Sequence, residues 1–201
     1  MQHNTSQLLF AYWDQLRAGR LAPTRTEIDP ASIATILPQT LLLECRPPAN
    51  YRFRIAGTKL CEYLGIELRG DNFLDLWQPH DRIDVQDKLQ AIAVSGGAVT
   101  FNIHSYTTRG ESIYSEVLLL PLSQTNGIIH RLLGAWSLSD HTLWNGCAPL
   151  VEHTLVAPEE TYKSRIRPQA AIPPRFGRPL DHGRVVASHK HRFRVYDGGR
   201  M

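Results

Sequence analysis

A chain of 201 residues with 42% hydrophobic and 20% charged side chains and a net charge of +3 has the makeup of a globular protein with one core plus extensions. No apolar run approaches the roughly 18 residues of a helical membrane span, and "MQHNTSQLL" has no basic region leading into a long apolar one; the expectation is a cytoplasmic protein without a secretory signal. Cys45, Cys61 and Cys147 form no CxxC pair, which argues against a disulfide framework or a thiolate zinc site.

Leu8, Leu9, Tyr12, Trp13 and Leu16 recur at helical spacing and Gly19 stops the segment, so an amphipathic helix opens the chain. Its stripe is too apolar for water and must cover the chain's own domain, a second copy or a partner. In "IDPASIATILP", Asp29 is a natural N-cap with Pro30 at the first helical position, which predicts a short helix. Two strands follow, "QTLLLEC" and "YRFRIA", reversed by "RPPAN". In the second, Tyr51, Phe53 and Ile55 alternate with Arg52 and Arg54, giving one apolar and one solvated face.

The stretch "RIAGTKLCEYLG" runs from strand into helix: Gly57 is expected to release the strand, Thr58 to cap the helix and Gly65 to end it. A strand, a glycine and a helix also begin a phosphate loop, but GxxxxGK[ST] and GxGxxG are both missing here. After the small turn "GDNFLDLW" comes the longest helix of the domain. Its apolar positions are Val85, Leu89, Ile92 and Ala93, Asp81 lies near its start, and Gly96-Gly97 ends it. Three strands complete the pattern, "AVTFNIHSY", "SIYSEVLLLPL" and "IIHRLLGAWSLS", with Asn126-Gly127 as a hairpin signal between the last two. Val117 to Leu120 is apolar at every position, as in a strand covered on both faces, and the N-terminal helix is the candidate second cover. Beyond this point proline and basic residues accumulate: residues 158–201 hold ten Lys/Arg against four Asp/Glu, a net +6, while residues 1–157 hold twelve against fifteen, a net −3. The expected division is an amphipathic helix at 1–22, a domain at 23–140 and a basic, Pro-rich, partly disordered extension at 141–201.

The blocks "YWDQLRAGRLAPTRTEIDPASIATILPQTLLLE", "YRFRIAGTKLCEYLGIELRGDNFLDLW" and "EVLLLPLS" resemble the PAS domain, in particular its compact stand-alone subfamily found mainly in alphaproteobacteria. The resemblance covers about residues 8 to 140. It implies an α+β fold: a five-stranded antiparallel sheet with short helices on one face around an interior cavity, and the amphipathic helix in addition. It also implies a non-catalytic sensor and protein-interaction module, with signalling proteins such as histidine kinases or their regulators as partners.

The residues expected around that cavity are Phe53, Ile55, Leu60, Phe73, Leu76, Trp77, Leu89, Ile92, Phe101, Ile103, Leu118, Leu120 and Trp136. Polar groups available to a ligand are Tyr63, His80, Asn102, His104 and Tyr114. Haem is disfavoured because the long-helix stretch "DRIDVQDKLQAIAVS" contains no His, and flavin because Cys61 in "KLCEYLG" is not in the photoactive context. No cofactor is expected; a filled core is preferred over an unidentified small apolar ligand. Leu8, Leu9, Tyr12, Trp13 and Leu16 are expected to pair two copies into a homodimer or to cap the domain. No nucleophile elbow or metal constellation stands out among the nine histidines and three cysteines. In the tail, Arg192, Phe193, Arg194 and Tyr196 are the expected contacts. Their alternation favours docking on another protein's sheet edge over the alternative, binding of nucleic acid or an anionic surface.

Overall fold

In the computed structural model, which describes residues 1, 3–46, 48–124, 126–139, 148–156 and 161–162, the first element is helix α1 (Asn4–Arg17). Strands β1 (Thr40–Arg46) and β2 (Asn50–Ala56), helix α2 (Thr58–Leu64) and helix α3 (Pro79–Ser95) follow. The chain then runs through β3 (Ala98–Thr107), β4 (Ser112–Ser123), β5 (Ile129–Leu138), β6 (Leu150–Leu155) and β7 (Thr161–Tyr162). All described residues belong to one unit, Met1–Arg167. The strands form one sheet in the order β2-β1-β5-β4-β3-β6, with β7 also on β3, and every pairing is antiparallel.

Side chains on a strand alternate between faces, and on β4 this splits the unbroken apolar run between two cores. Val117 and Leu119 join the inner cluster with α2, α3 and the short turn Phe73–Leu76. Leu118, Leu120 and Leu122 join the outer one under α1. Within α1, Leu9, Tyr12 and Trp13 are buried against the chain's own sheet, Leu16 is partly buried, and Leu8 is 38% exposed. Each large side chain so buried contributes about 1.5–3 kcal/mol. Two polar anchors fix the helix. The Trp13 indole N–H donates to the Pro121 carbonyl at 2.8 Å, while the Tyr12 hydroxyl accepts from the Asp29 N–H at 2.7 Å and donates to the Asp29 carbonyl at 3.3 Å.

Several local expectations need correction. The Asp29 carboxylate does accept the Ala31 N–H, but the turn it starts, Pro30–Ile33, is a single 3-10 turn. Gly57 does not release a strand by its conformational freedom: its φ of −66° and ψ of 154° suit any residue. A Cβ there would instead lie 2.3 Å from the Pro38 carbonyl oxygen, so the glycine permits a close approach of two backbones. Thr58 is the first helical residue, with Gly57 in the cap position, and Gly65 ends α2 at a φ of 67° as expected. The sheet continues past residue 140, since β6 and β7 line the β3 edge that five strands would leave open. The Asp81 carboxylate, at the start of α3, accepts the Leu155 N–H at 3.0 Å and so clips β6 to the inner helical layer.

Candidate functional site

Phe53, Leu60, Phe73, Trp77, Leu89, Ile92, Phe101, Ile103 and Trp136 are brought together in the inner cluster and are almost fully buried. Three ring contacts run through it, Phe53–Phe73 at 5.9 Å, Phe73–Trp77 at 5.6 Å and Trp77–Phe101 at 5.8 Å, all tilted or edge-on as aromatic quadrupoles prefer. Four expected lining residues stand elsewhere. Leu118 and Leu120 face α1, Leu76 packs only partly buried at the margin, and Ile55 is 50% exposed. A bulge explains Ile55: the β1–β2 register shifts between Leu42 and Leu43, so Phe53 pairs with Leu43 while Ile55 pairs with the outward-facing Leu42.

The interior also holds polar groups that the sequence reading missed. Ser105 Oγ and His153 Nδ1 are 2.9 Å apart, the Trp136 indole N–H donates to Ser115 Oγ at 3.1 Å, and the Trp136 ring stands edge-on to His153 at 5.3 Å. Burial lowers the His153 pKa to about 4, so the ring is neutral at physiological pH. Trp77 contributes a buried indole N–H with no partner among the described residues. The only hint of His153 was its place in "LVEHTL", a segment too polar and too short to read as a strand.

Of the other polar candidates, Tyr63 is buried with its hydroxyl 3.3 Å from Gln39 Nε2, and His80 is exposed beside Asp81. Asn102, His104 and Tyr114 lie on the outer face, because their β3 neighbours Phe101 and Ile103 point inward. There the His104 ring stacks on Tyr114, with centroids 4.4 Å apart and planes 8° from parallel, and Tyr106 packs against it at 4.6 Å. The Tyr106 hydroxyl is 3.2 Å from His104 Nδ1, and Tyr114 is 54% exposed. Cys45 and Cys61 are free; burial raises the Cys45 thiol to about 12, which keeps it protonated. Arg192, Phe193, Arg194 and Tyr196 lie outside the described residues.

An antiparallel sheet closed on one side by short helices around an aromatic interior is the architecture of a sensory module of signalling. The chain belongs to the PAS-domain family, whose model matches residues 1–137.

Among solved structures it is similar to the Aureochrome1 light-oxygen-voltage domain in its dark state, with TM-score 0.43 and 17% identity over 55% of this chain and 81% of that one. A light-oxygen-voltage domain studied with a flavin analogue gives 0.43 and 13% over 56% and 84%. The light-oxygen-voltage protein of Rhodobacter sphaeroides gives 0.43 and 13% over 57% and 70%. At these identities the likeness is one of fold. No curated protein matches the chain. These structures correct one expectation: the Cys61 context argues against flavin, yet the solved structures named here are light-oxygen-voltage domains, one of them studied with a flavin analogue. The exclusion of flavin, and the expectation of no cofactor that rested on it, is withdrawn.

Proposed function

We propose that the chain is a non-catalytic PAS regulator that senses through its interior and reports through protein contact at the outer face of its sheet. The observation that supports this reading is the unequal cover of that face. Helix α1 lies over the Leu118, Leu120 and Leu133 side, while in the stack on β3 and β4 His104 and Tyr106 are half-buried and Tyr114 is 54% exposed. Stacked aromatics with polar tips are what interfaces use as anchors, since they offer large rigid area at low entropic cost. Because Leu9, Tyr12 and Trp13 are occupied by the chain's own sheet, self-association is assigned to this stack and not to the stripe of α1. The partners proposed are a second copy and signalling proteins such as histidine kinases or their regulators, and the sensory domain is taken to end after β7.

Photo-crosslinking in the native host tests this. A benzoylphenylalanine at position 114 should capture a defined signalling protein or a second copy, and the same group at Val94, which is 83% exposed on α3, should not. Equal capture at both positions would refute the assignment. Light scattering of Tyr114→Asp should show a smaller assembly than the unmodified chain.

A further inference from the structure

The turn that follows α1 is tied to the tip of the β4–β5 hairpin. Thr24 bridges to Ser123, and the Ser123 N–H donates to the Pro23 carbonyl at 2.9 Å. Between turn and hairpin lies a cleft of about 520 Å³ whose lining includes three basic side chains, Arg25, His130 and Arg131, with Thr26, Gln124 and Asn126 among its polar groups, and no carboxylate.

Two guanidinium groups in one cleft ordinarily carry their own counter-charges, whereas His130 adds no lasting charge because burial and the neighbouring Arg131 lower its pKa. Two acids are near enough to serve, and both are engaged elsewhere. Glu27 is held by Arg20 through contacts of 2.6 and 3.1 Å and by the Thr24 N–H and hydroxyl, which drop its carboxyl to about 2. Glu44 sits opposite Arg131 across the β1–β5 pairing, but its carboxylate is taken by Arg54 at 2.5 Å and Arg46 at 3.1 Å. The side chains of Arg25 and Arg131 make no ion pair or hydrogen bond among the described residues, and Arg131 Nε is a buried polar atom without a partner there. A buried guanidinium nitrogen left unmatched costs free energy that an arriving acceptor recovers.

From this geometry we infer that the cleft between the post-α1 turn and the β4–β5 hairpin is a binding site for a small phosphate-bearing molecule. Arg25 belongs to the turn and Arg131 to β5, so the cleft is lined by guanidinium groups from two elements, the side chain best suited to bind phosphate oxygens in pairs. Thr26, Gln124 and Asn126 add neutral polar groups, and the volume exceeds that of one phosphate and suits a ligand of nucleotide size. Because the ligand would join the turn after α1 to the sheet, its binding should hold α1 more firmly in place, which connects the site to the outer face.

Isothermal titration of the full chain with pyrophosphate, ADP and GDP at low salt, with adenosine as an uncharged control, tests the inference. Saturable one-to-one binding is expected for the phosphate-bearing probes and none for adenosine. Tighter binding of ADP or GDP than of pyrophosphate would identify a nucleotide, and equal affinities would identify the phosphate groups alone as what is read. Arg131→Gln should weaken binding roughly tenfold or more, as for the loss of a charged hydrogen bond. Arg25 is exposed, so Arg25→Gln keeps the fold and should weaken binding as well. Hydrogen exchange of residues 4–17 should slow when the ligand is bound. No heat with any phosphate probe at millimolar concentration, affinity unchanged in Arg25→Gln, or binding to RNA without binding to ADP or pyrophosphate would each overturn it.

Discussion

The two faces of the sheet are covered by different means. On the inner face many short pieces, α2, α3 and the turn at Phe73–Leu76, interlock around an aromatic chain, so none of them is seated without the others. On the outer face one helix does most of the work, fixed by an apolar stripe and the two anchors at Pro121 and Asp29. Ala22, Ile33 and Ile36 from the segment after α1 complete that cover, so it is one continuous stretch of chain that can loosen as a unit, whereas the interlocked inner elements open only with the domain. The outer cover is therefore expected to loosen at a lower free-energy cost than the inner one.

The largest test of this contrast is Trp13→Ala. Removing a Trp that is 1% exposed should cost about 3–5 kcal/mol in urea unfolding. Hydrogen exchange should accelerate across residues 4–17 far more than across α3, and equal acceleration in both would mean that the faces are not independent.

Acidification probes the inner face next. The His153 pKa is depressed to about 4 against about 6.5 in the unfolded chain, so its contribution is complete above pH 6.5 and is lost as the pH falls towards 4. Roughly 3 kcal/mol should disappear over that window, and His153→Phe should flatten this part of the pH–stability curve. Gly57→Ala should cost about 1–3 kcal/mol, because the methyl meets the Pro38 carbonyl and not a yielding side chain. The smallest effect belongs to Trp77→Phe. It deletes an N–H that has no partner among the described residues, so its stability should stay within about 1 kcal/mol of the unmodified chain, whereas Trp136→Phe, which leaves Ser115 without its donor, should cost more.

Most elements were legible because their signals were local. Helix α3 announced itself through Val85, Leu89 and Ile92, the β4–β5 hairpin through Asn126-Gly127, and α1 through its aromatic stripe. What escaped the sequence was which way side chains face. A run apolar at every position, Val117 to Leu120, has no alternation to read, so Leu118 and Leu120 went to the wrong side. The bulge at Leu42/Leu43 inverts the pattern at Ile55, and nothing in the local sequence marks it. His153 and β6 were hidden because an edge strand buries one face only in part and so carries weak hydrophobic periodicity. The basic cleft was illegible for another reason: Arg25 and Arg131 are 106 positions apart, and only the meeting of turn and hairpin makes them neighbours.

One consequence of β6 concerns solubility. Without it, the ten residues of β3 would present a long row of unpaired backbone donors and acceptors, which is the template on which sheets join edge to edge. β6 occupies Ile103 to Thr107 of that edge and β7 occupies Ala98 and Val99, while the clip from Asp81 keeps β6 in place. Residues past 140 thus act as a guard rail, replacing a long adhesive margin with a strand of six residues.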